Sequence, residues 1–253
     1  MPLPFNAHQQ LGSQTAKNGF KNEDDVIAKF NQWQTDETAQ QWLRLMAYAL
    51  EEIEFVTALK IAGEKTDVQV QVTIKLKQAI DVENIQVKLV SNLNGFNQID
   101  KRWIAKYVEL WEISPAIERL LKLYTGEIAP TIPNPRDARR MFLDEFSLSE
   151  QKALLAFFEE KKVLIVSDVL KGRGRFSAEW MLVIQKTTQN ARWVLKPMNI
   201  VLNHYASGNV LITKQGNLRV GRITVQRKGG DGGRKTAQML QFKINPTELF
   251  DLT

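Results

Sequence analysis

"TDVQVQVTIKLKQAIDVENIQVKLV", Thr66–Val90, is the stretch whose reading decides the fold. Val68, Val70, Val72, Ile74 and Leu76 alternate with polar residues, and Ile85, Val87 and Leu89 resume the alternation after a turn expected near Asp81. A period of two belongs to a strand with one buried face, so the stretch predicts two strands joined as a hairpin. Residues two apart on a strand share a face, so Gln86 and Lys88 project together while Val87 points away. Asp67 stands where the first strand begins.

On the N-terminal side, residues 1–19 mix Pro, Gln, Asn and Gly without a period and read as an arm. From Asn22, a candidate helix cap, Val26, Ile27, Phe30 and Trp33 recur at helical spacing, with Asp24 and Asp25 suited to the positive first turn. A second helix is expected from about Thr38 to Leu59, with Trp42, Leu45, Met46, Ala49, Leu50 and Ile53 as its buried stripe.

On the C-terminal side, "SNLNGFNQ" reads as a loop, and helices are expected around Asp100–Trp111 and Pro115–Leu123. After the proline-rich "IAPTIPNPRD", the capping-box pattern "SLSE" at 147–150 opens another helix to about Lys161. "VLIVSDVL" and "WMLVIQK" read as strands joined by "KGRGRFSAE". A helix near Pro197–Tyr205 then leads to strands at about 209–213, 218–227 and 238–244, with "KQGN" as a tight turn. Helices and hairpins interleave without regular βαβ alternation, so the fold class is α/β with a mixed central β-sheet flanked by helices. The expectation is one domain over residues 1–253, with 209–253 a β-rich C-terminal part.

The 253 residues are 43% hydrophobic, the composition of an ordinary globular chain. No apolar run approaches the ~18 residues of a membrane span and no basic-then-apolar leader opens the chain, so a cytoplasmic protein is expected. Cysteine is absent, which removes disulfides, thiolate nucleophiles and zinc-thiolate sites together. The two histidines, His8 and His204, give no metal or triad pattern, and neither is assigned a chemical role. Net charge is +6, and the excess is local: residues 1–60 hold five Lys/Arg against eight Asp/Glu, whereas 214–235 hold seven against Asp231 alone. Such a field suits a polyanionic partner.

Divalent-metal phosphodiesterases need an anionic ligand, a second oxygen ligand across from it and a cation near the attacking water, and one hairpin can supply all three. Asp67 would give a carboxylate oxygen to Mg2+, Gln86 an amide oxygen and the Val87 backbone carbonyl a further ligand, with Lys88 holding the water. By composition alone the same residues also describe an exposed strand face beginning in a turn.

Asp67, eighteen intervening residues and then "QVK" resemble the Gln-containing variant of the PD-(D/E)xK nuclease motif. "NIQVKLVSN", "GFNQIDK", "ARW", "QRKGGD" and "MLQFKINPTELFD" resemble the monomeric type II restriction endonucleases that cut G^CGC, and the likeness covers nearly the whole chain. It implies a mixed-sheet nuclease core, Mg2+-dependent cleavage of double-stranded DNA with one or two ions, 5′-phosphate and 3′-hydroxyl ends, a monomer or weak dimer, and a cognate DNA methyltransferase that protects the host. Gln86 departs from the superfamily, which mostly places Asp or Glu there. Glu23 is the candidate to compensate, because related nucleases bring a helical carboxylate toward the metals; its other reading is complementing the helix terminus.

With DNA as the implied partner, Phe96, Asn97, Gln98 and Lys101 form one candidate contact loop, Phe96 stacking or packing within the loop and Gln98 and Lys101 meeting bases or phosphates. Arg222, Gln226, Arg227, Lys228 and Arg234 surround a four-glycine loop and form a second, because Arg or Lys on guanine O6 and N7 is the commonest direct readout of G·C pairs. The other reading of that hairpin is phosphate contact alone, and "KGRGR" at 171–175 is also assigned to phosphate contact or turn charge. "GGDGGRKT" lacks the glycine a P-loop places before its lysine, and "GRGRFS" lacks the third glycine of a dinucleotide fingerprint, so no nucleotide cofactor is indicated. Two other functions remain open at this point: a DNA-binding protein without catalysis, and a structure-selective or repair nuclease on the same core.

Overall fold

The structure, a computed structural model, describes residues 21–74, 79–91, 95–186, 191–230 and 234–252. The expected N-terminal arm, His8 and the tip of the hairpin therefore lie outside the described residues. In chain order the helices are α1 (residues 21–31), α2 (Glu37–Leu45), α3 (Ile104–Trp111), α4 (Pro115–Thr125), α5 (Leu148–Glu160), α6 (Lys162–Leu170) and α7 (Met198–Ala206). The strands are β1 (Ile53–Lys60), β2 (Val68–Ile74), β3 (Ala79–Val90), β4 (Asn97–Arg102), β5 (Trp180–Lys186), β6 (Ala191–Pro197), β7 (Val210–Ile212), β8 (Leu218–Val220), β9 (Ile223–Arg227) and β10 (Leu240–Ile244). Among the described residues no helix is long and apolar enough to cross a membrane.

Contacts divide these elements into two units. The first takes described residues 21–95, 171–201 and 245–252 and carries a mixed sheet in the order β1-β2-β3-β5-β6. The expected hairpin is there: β2 and β3 pair antiparallel, with Val68 opposite Ile85 and Val72 opposite Asp81. Asp81, expected at the turn, lies inside β3. On its other edge β3 runs parallel to β5, Ile85–Val90 against Trp180–Gln185, and this is the mixed element of the sheet. Val68, Val70, Ile85 and Val87 face a core that holds Val26 and Phe30 of α1 and Trp42 and Leu43 of α2. Trp42 is its pivot, with ring centroids 5.2 Å from Phe30 and 5.7 Å from Trp193 of β6.

The expected second helix is corrected here. It ends at Leu45, and residues 53–60 are a strand. Tyr48 N–H donates to Leu43 O and Ala47 N–H to Arg44 O, the pair of bonds that closes a Schellman cap, with Ala47 at φ 69° in the left-handed position. Glycine or asparagine usually marks that position, and an alanine gives no signal. Asn22 is corrected too: it is buried within α1 rather than capping it.

The second unit takes described residues 96–170 and 202–244 and carries the antiparallel sheet β4-β10-β9-β8-β7. "VLIVSDVL", expected as a strand, is helix α6, because a continuous apolar run fits a helix buried on several sides as well as a strand. Its Asp168 is buried and accepts from Arg102 Nη1 at 2.8 Å and Trp111 Nε1 at 3.1 Å, while Tyr107 Oη donates to Asp100 at 2.6 Å. Tyr107 and Trp111 pack edge-on against Phe242 of β10. The strand expected over 218–227 breaks in two at Gly221, whose φ of +57° and 2.4 Å approach to Tyr205 O from a built Cβ leave no room for a side chain. "SLSE" forms the expected capping box, Ser147 with Glu150.

In the segment between α4 and α5, Asp137 accepts from Arg139 Nε at 2.7 Å and Arg140 Nε at 3.3 Å. Hydrogen bonding from Arg139 holds the Asp137 carboxyl down at about 2. A carboxyl depressed in the folded state contributes stability above its unfolded value and loses it as pH falls through the folded one. Asp137→Asn should therefore unfold about 1–2 kcal/mol more easily at pH 7, after discounting for solvent around Arg139, with the gap narrowing below about pH 4. Urea unfolding across that range checks this, and a gap independent of pH would contradict it.

Candidate active site

The site is built where β2 ends and β3 continues. β2 covers the β3 edge only as far as Ile85, and Asp67 N–H donates to Ile85 O at 3.0 Å as the last backbone bond between them. Two residues further along β3 the Val87 N–H has no β2 residue opposite it, and the Asp67 carboxylate takes that place, Oδ2 to N at 2.7 Å. The same Oδ2 lies 3.7 Å from Lys88 Nζ. Continuing the register sets Asp67 beside Gln86. Gln86 and Lys88 share the face turned away from Ile85 and Val87, as the period of two requires. Gln86 is 2% exposed, and its Oε1 is buried without a hydrogen-bond partner. The structure thus brings Asp67, Gln86 and Lys88 to one place.

Glu23 arrives from α1. Asn31 of that helix spans both polar groups of Ala58, its Oδ1 accepting from Ala58 N–H at 2.7 Å and its Nδ2 donating to Ala58 O at 3.5 Å. Those bonds dock α1 on β1, the outermost strand of the sheet. Near the start of the described helix, Glu23 Oε2 sits 2.9 Å from Lys60 Nζ, which also reaches Asp24 at 3.2 Å. Burial pushes the Glu23 carboxyl above its ordinary value; Lys60 opposes the rise, and the negative charge of Asp67 adds to it. Burial would lower the Lys60 ammonium, but its bonds to Glu23 and Asp24 win and raise it. Lys60 joins the candidate site through Glu23, and the sequence gives no sign of it, because residues 53–59 read as the end of a helix.

The basic segment Lys171–Arg175 is tied to the same strands. Thr66, next to Asp67, donates through Oγ1 to Phe176 O at 2.8 Å, and Asn84, two before Gln86, donates through Nδ2 to Arg175 O at 2.9 Å and Ser177 O at 3.1 Å.

A hard divalent cation fits this set. It would satisfy the unmet Gln86 oxygen and relieve the repulsion between Glu23 and Asp67. Among the described residues no cluster of three or more His, Asp or Glu groups could hold a metal ion, so a cation here would need amide and backbone oxygens among its ligands.

The expected contact residues fall in the second unit. Phe96 is 57% exposed, ahead of β4. Asn97, Gln98 and Lys101, expected on a loop, lie on strand β4 at the sheet edge, with Gln98 and Lys101 exposed. Gln226 lies on β9 opposite Gln241. Arg227 shares its parity with the buried Ile223 and Val225, and its Nε donates to Thr125 O at the end of α4, 2.8 Å away, so it stands on the opposite face from Gln226. Arg222 sits in the β8–β9 turn and donates to Ser207 Oγ. Lys228 pairs its backbone N–H with Met239 O, and Arg234 is exposed beyond residues 231–233, which are outside the described residues.

The fold defines a class. It is similar to that of the crystal structure of restriction endonuclease MspI in complex with its cognate DNA, with a TM-score of 0.62 and 14% identity over 88% of this chain and 87% of that one. The model of the R.HinP1I restriction endonuclease family matches residues 46–250, and the chain belongs to that family. Comparison with curated protein sequences gives no significant match.

The Asp67–Val87 bond caps the free edge of β3, and two substitutions measure what it contributes. Asp67→Ala should lose about 1–3 kcal/mol of stability, since the Val87 N–H loses its acceptor, whereas Asp67→Asn keeps an oxygen there and most of the stability. Thermal denaturation of both variants checks this; equal losses would show that the bond carries no structural weight.

Proposed function

We propose that the chain is a type II restriction endonuclease that hydrolyses double-stranded DNA in a Mg2+-dependent reaction at GCGC, cutting G^CGC to leave 5′-phosphate and 3′-hydroxyl ends. The carrying observation is the Asp67 carboxylate fixed by the Val87 N–H, with the Lys88 ammonium 3.7 Å from the same oxygen. Family membership, the MspI-like fold and the G^CGC-cutter words of the sequence support the rest.

Asp67, Gln86 Oε1 and the Val87 carbonyl would hold Mg2+, with Glu23 a further carboxylate, and the ion would supply charge stabilisation at the phosphorus and a more acidic water. The protein's own groups do the positioning. Asp67 is locked by its bond to Val87, so its free oxygen is fixed in direction before substrate arrives. Lys88 donates to the attacking water and to the phosphate oxygen that gains charge. Lys60 holds Glu23 and offsets negative charge when the DNA backbone approaches. Lys171, Arg173 and Arg175, on a segment bonded to Thr66 and Asn84, meet the flanking phosphates. With an amide where most relatives carry a carboxylate, the site binds Mg2+ more weakly than a two-carboxylate hairpin. The enzyme acts as a monomer or weak dimer, and a methyltransferase of the same specificity protects the host.

Purified protein with Mg2+ should cut a plasmid of known sequence into discrete fragments whose ends read back to GCGC. Intact DNA at every salt concentration would overturn the enzyme, and random fragments would overturn the specificity. Lys88→Ala should abolish cutting and retain Ca2+-supported binding of the same duplex in a gel-shift assay. Gln86→Ala should raise the Mg2+ needed for cutting by less than Asp67→Ala does, and a Mg2+ titration giving equal losses would contradict the ligand assignment.

A further inference from the structure

The register of the second sheet gathers residues that the chain keeps apart. Between β4 and β10 the pairing runs Gln241 opposite Lys101 and Lys243 opposite Gln98, with a bulge between Phe242 and Lys243. Gln98 and Lys101, three residues apart, would face opposite ways on a regular strand. The bulge adds one residue to β4 and returns both to the face of Gln241 and Lys243. Across the other edge of β10, Gln226 stands opposite Gln241 and Thr224 opposite Lys243. Leu240, Phe242 and Ile244 point the other way and are buried. One face of this sheet is therefore apolar and packed, and the other is an amide and ammonium surface.

At its centre Gln241 Nε2 donates to Gln98 Oε1 at 2.7 Å. Gln241 is 6% exposed, and its own Oε1 is buried with no hydrogen-bond partner. Gln98, at the exposed edge, accepts from Gln241 through Oε1 and keeps an amide nitrogen with two N–H groups. The chained amides are polarised: one end offers donors, the other an unmet acceptor. A buried polar atom left unsatisfied is a loss that folding alone does not recover, and it marks a place where a ligand would restore it.

In the major groove a G·C pair offers two acceptors on guanine, N7 and O6, then one donor, cytosine N4–H. An A·T pair offers acceptor, donor, acceptor. Donors from Gln98 beside an acceptor from Gln241 complement the O6 and N4 edge of G·C; with adenine in guanine's place both contacts are reversed, whereas thymine in guanine's place, with O4 beside adenine N6–H, keeps them. Resting on the nuclease function above, we propose that the Gln98–Gln241 pair reads one G·C base pair of the target, with Gln241 accepting from cytosine N4 and Gln98 donating to guanine O6. Gln241 is the new specificity-determining residue, and the bulge in β4 is the device that sets Gln98 against it.

The test measures equilibrium binding, with Ca2+ in place of Mg2+, of the native chain, Gln241→Met and Gln98→Met. The probes are a duplex carrying the site the native chain cuts and duplexes with each base pair of that site singly exchanged, adenine for guanine and thymine for cytosine. The native chain should discriminate at every position. Both variants should lose roughly ten- to a hundredfold of discrimination at one and the same position, or its symmetry mate, with the other positions and the salt slope unchanged. Discrimination kept at all positions, or lost evenly at all of them, or weaker binding to every duplex with a shallower salt slope, overturns the proposal and leaves the nuclease standing. A native chain without preference for any duplex overturns the nuclease function, and this proposal with it. If Gln241→Met does not fold, Gln98→Met at the exposed edge decides the matter alone.

Discussion

The parting of β2 from β3 is the constraint on which the candidate site depends. A strand edge must satisfy its backbone groups, and beyond Ile85 the edge of β3 no longer has β2 to pair with. Asp67 answers this by giving its carboxylate to the Val87 N–H. The bond needs an acidic or amide side chain at the last position before β2, and it needs β3 to be held in place from elsewhere. β5 does that, running parallel along Ile85–Val90. The mixed sheet is thus what frees one edge of β3 at the point where Gln86 and Lys88 project, and a single strand carries both an architectural and a chemical load.

The electrostatics follow from that crowding. Two carboxylates, Glu23 and Asp67, and two ammonium groups, Lys60 and Lys88, share a small region, and each carboxylate has a lysine partner. The charges nearly cancel before any DNA or cation is present. Gln86 keeps the balance from tipping negative, and as an amide it would be a poorer metal ligand than a carboxylate. Under the proposed function, such a centre would rely on the phosphate backbone to help recruit its cation, and the lysine and arginines of residues 171–175 would favour that encounter.

Much of this was legible in the sequence where a local pattern and a tertiary demand agree. Val68 and Val70, Ile85 and Val87 alternate in sequence because they face the core beneath α1 and α2, and that alternation sufficed to set Gln86 and Lys88 on the other side. Ser147 and Glu150 announced the start of α5 because a capping box is a local device. The failures have equally definite causes. Ala47 closes α2 in a left-handed conformation that sequence assigns to glycine, so the helix was carried through β1 and Lys60 was lost to the site. The run Val163–Leu170 reads as a strand because β-branched and other apolar residues flank Ser167 and Asp168, but α6 buries Ile165, Val166, Val169 and Leu170, with Asp168 held by Arg102 and Trp111, residues nearly sixty positions away or more. Gln98 and Gln241 meet only through a register and a bulge, which no period in either strand encodes. Arg227 looked like its neighbour Gln226, yet adjacent strand positions face opposite ways, and its guanidinium went to the end of α4.

The account stands on a cation held at the point where β2 and β3 separate. Crystals of the protein soaked in Mn2+, with anomalous scattering recorded above and below the manganese edge, locate that ion without reference to activity. The expected result is a peak within about 2.0–2.4 Å of an Asp67 carboxylate oxygen and of Gln86 Oε1. No peak at Asp67 and Gln86, whether or not manganese binds elsewhere on the protein, would contradict it.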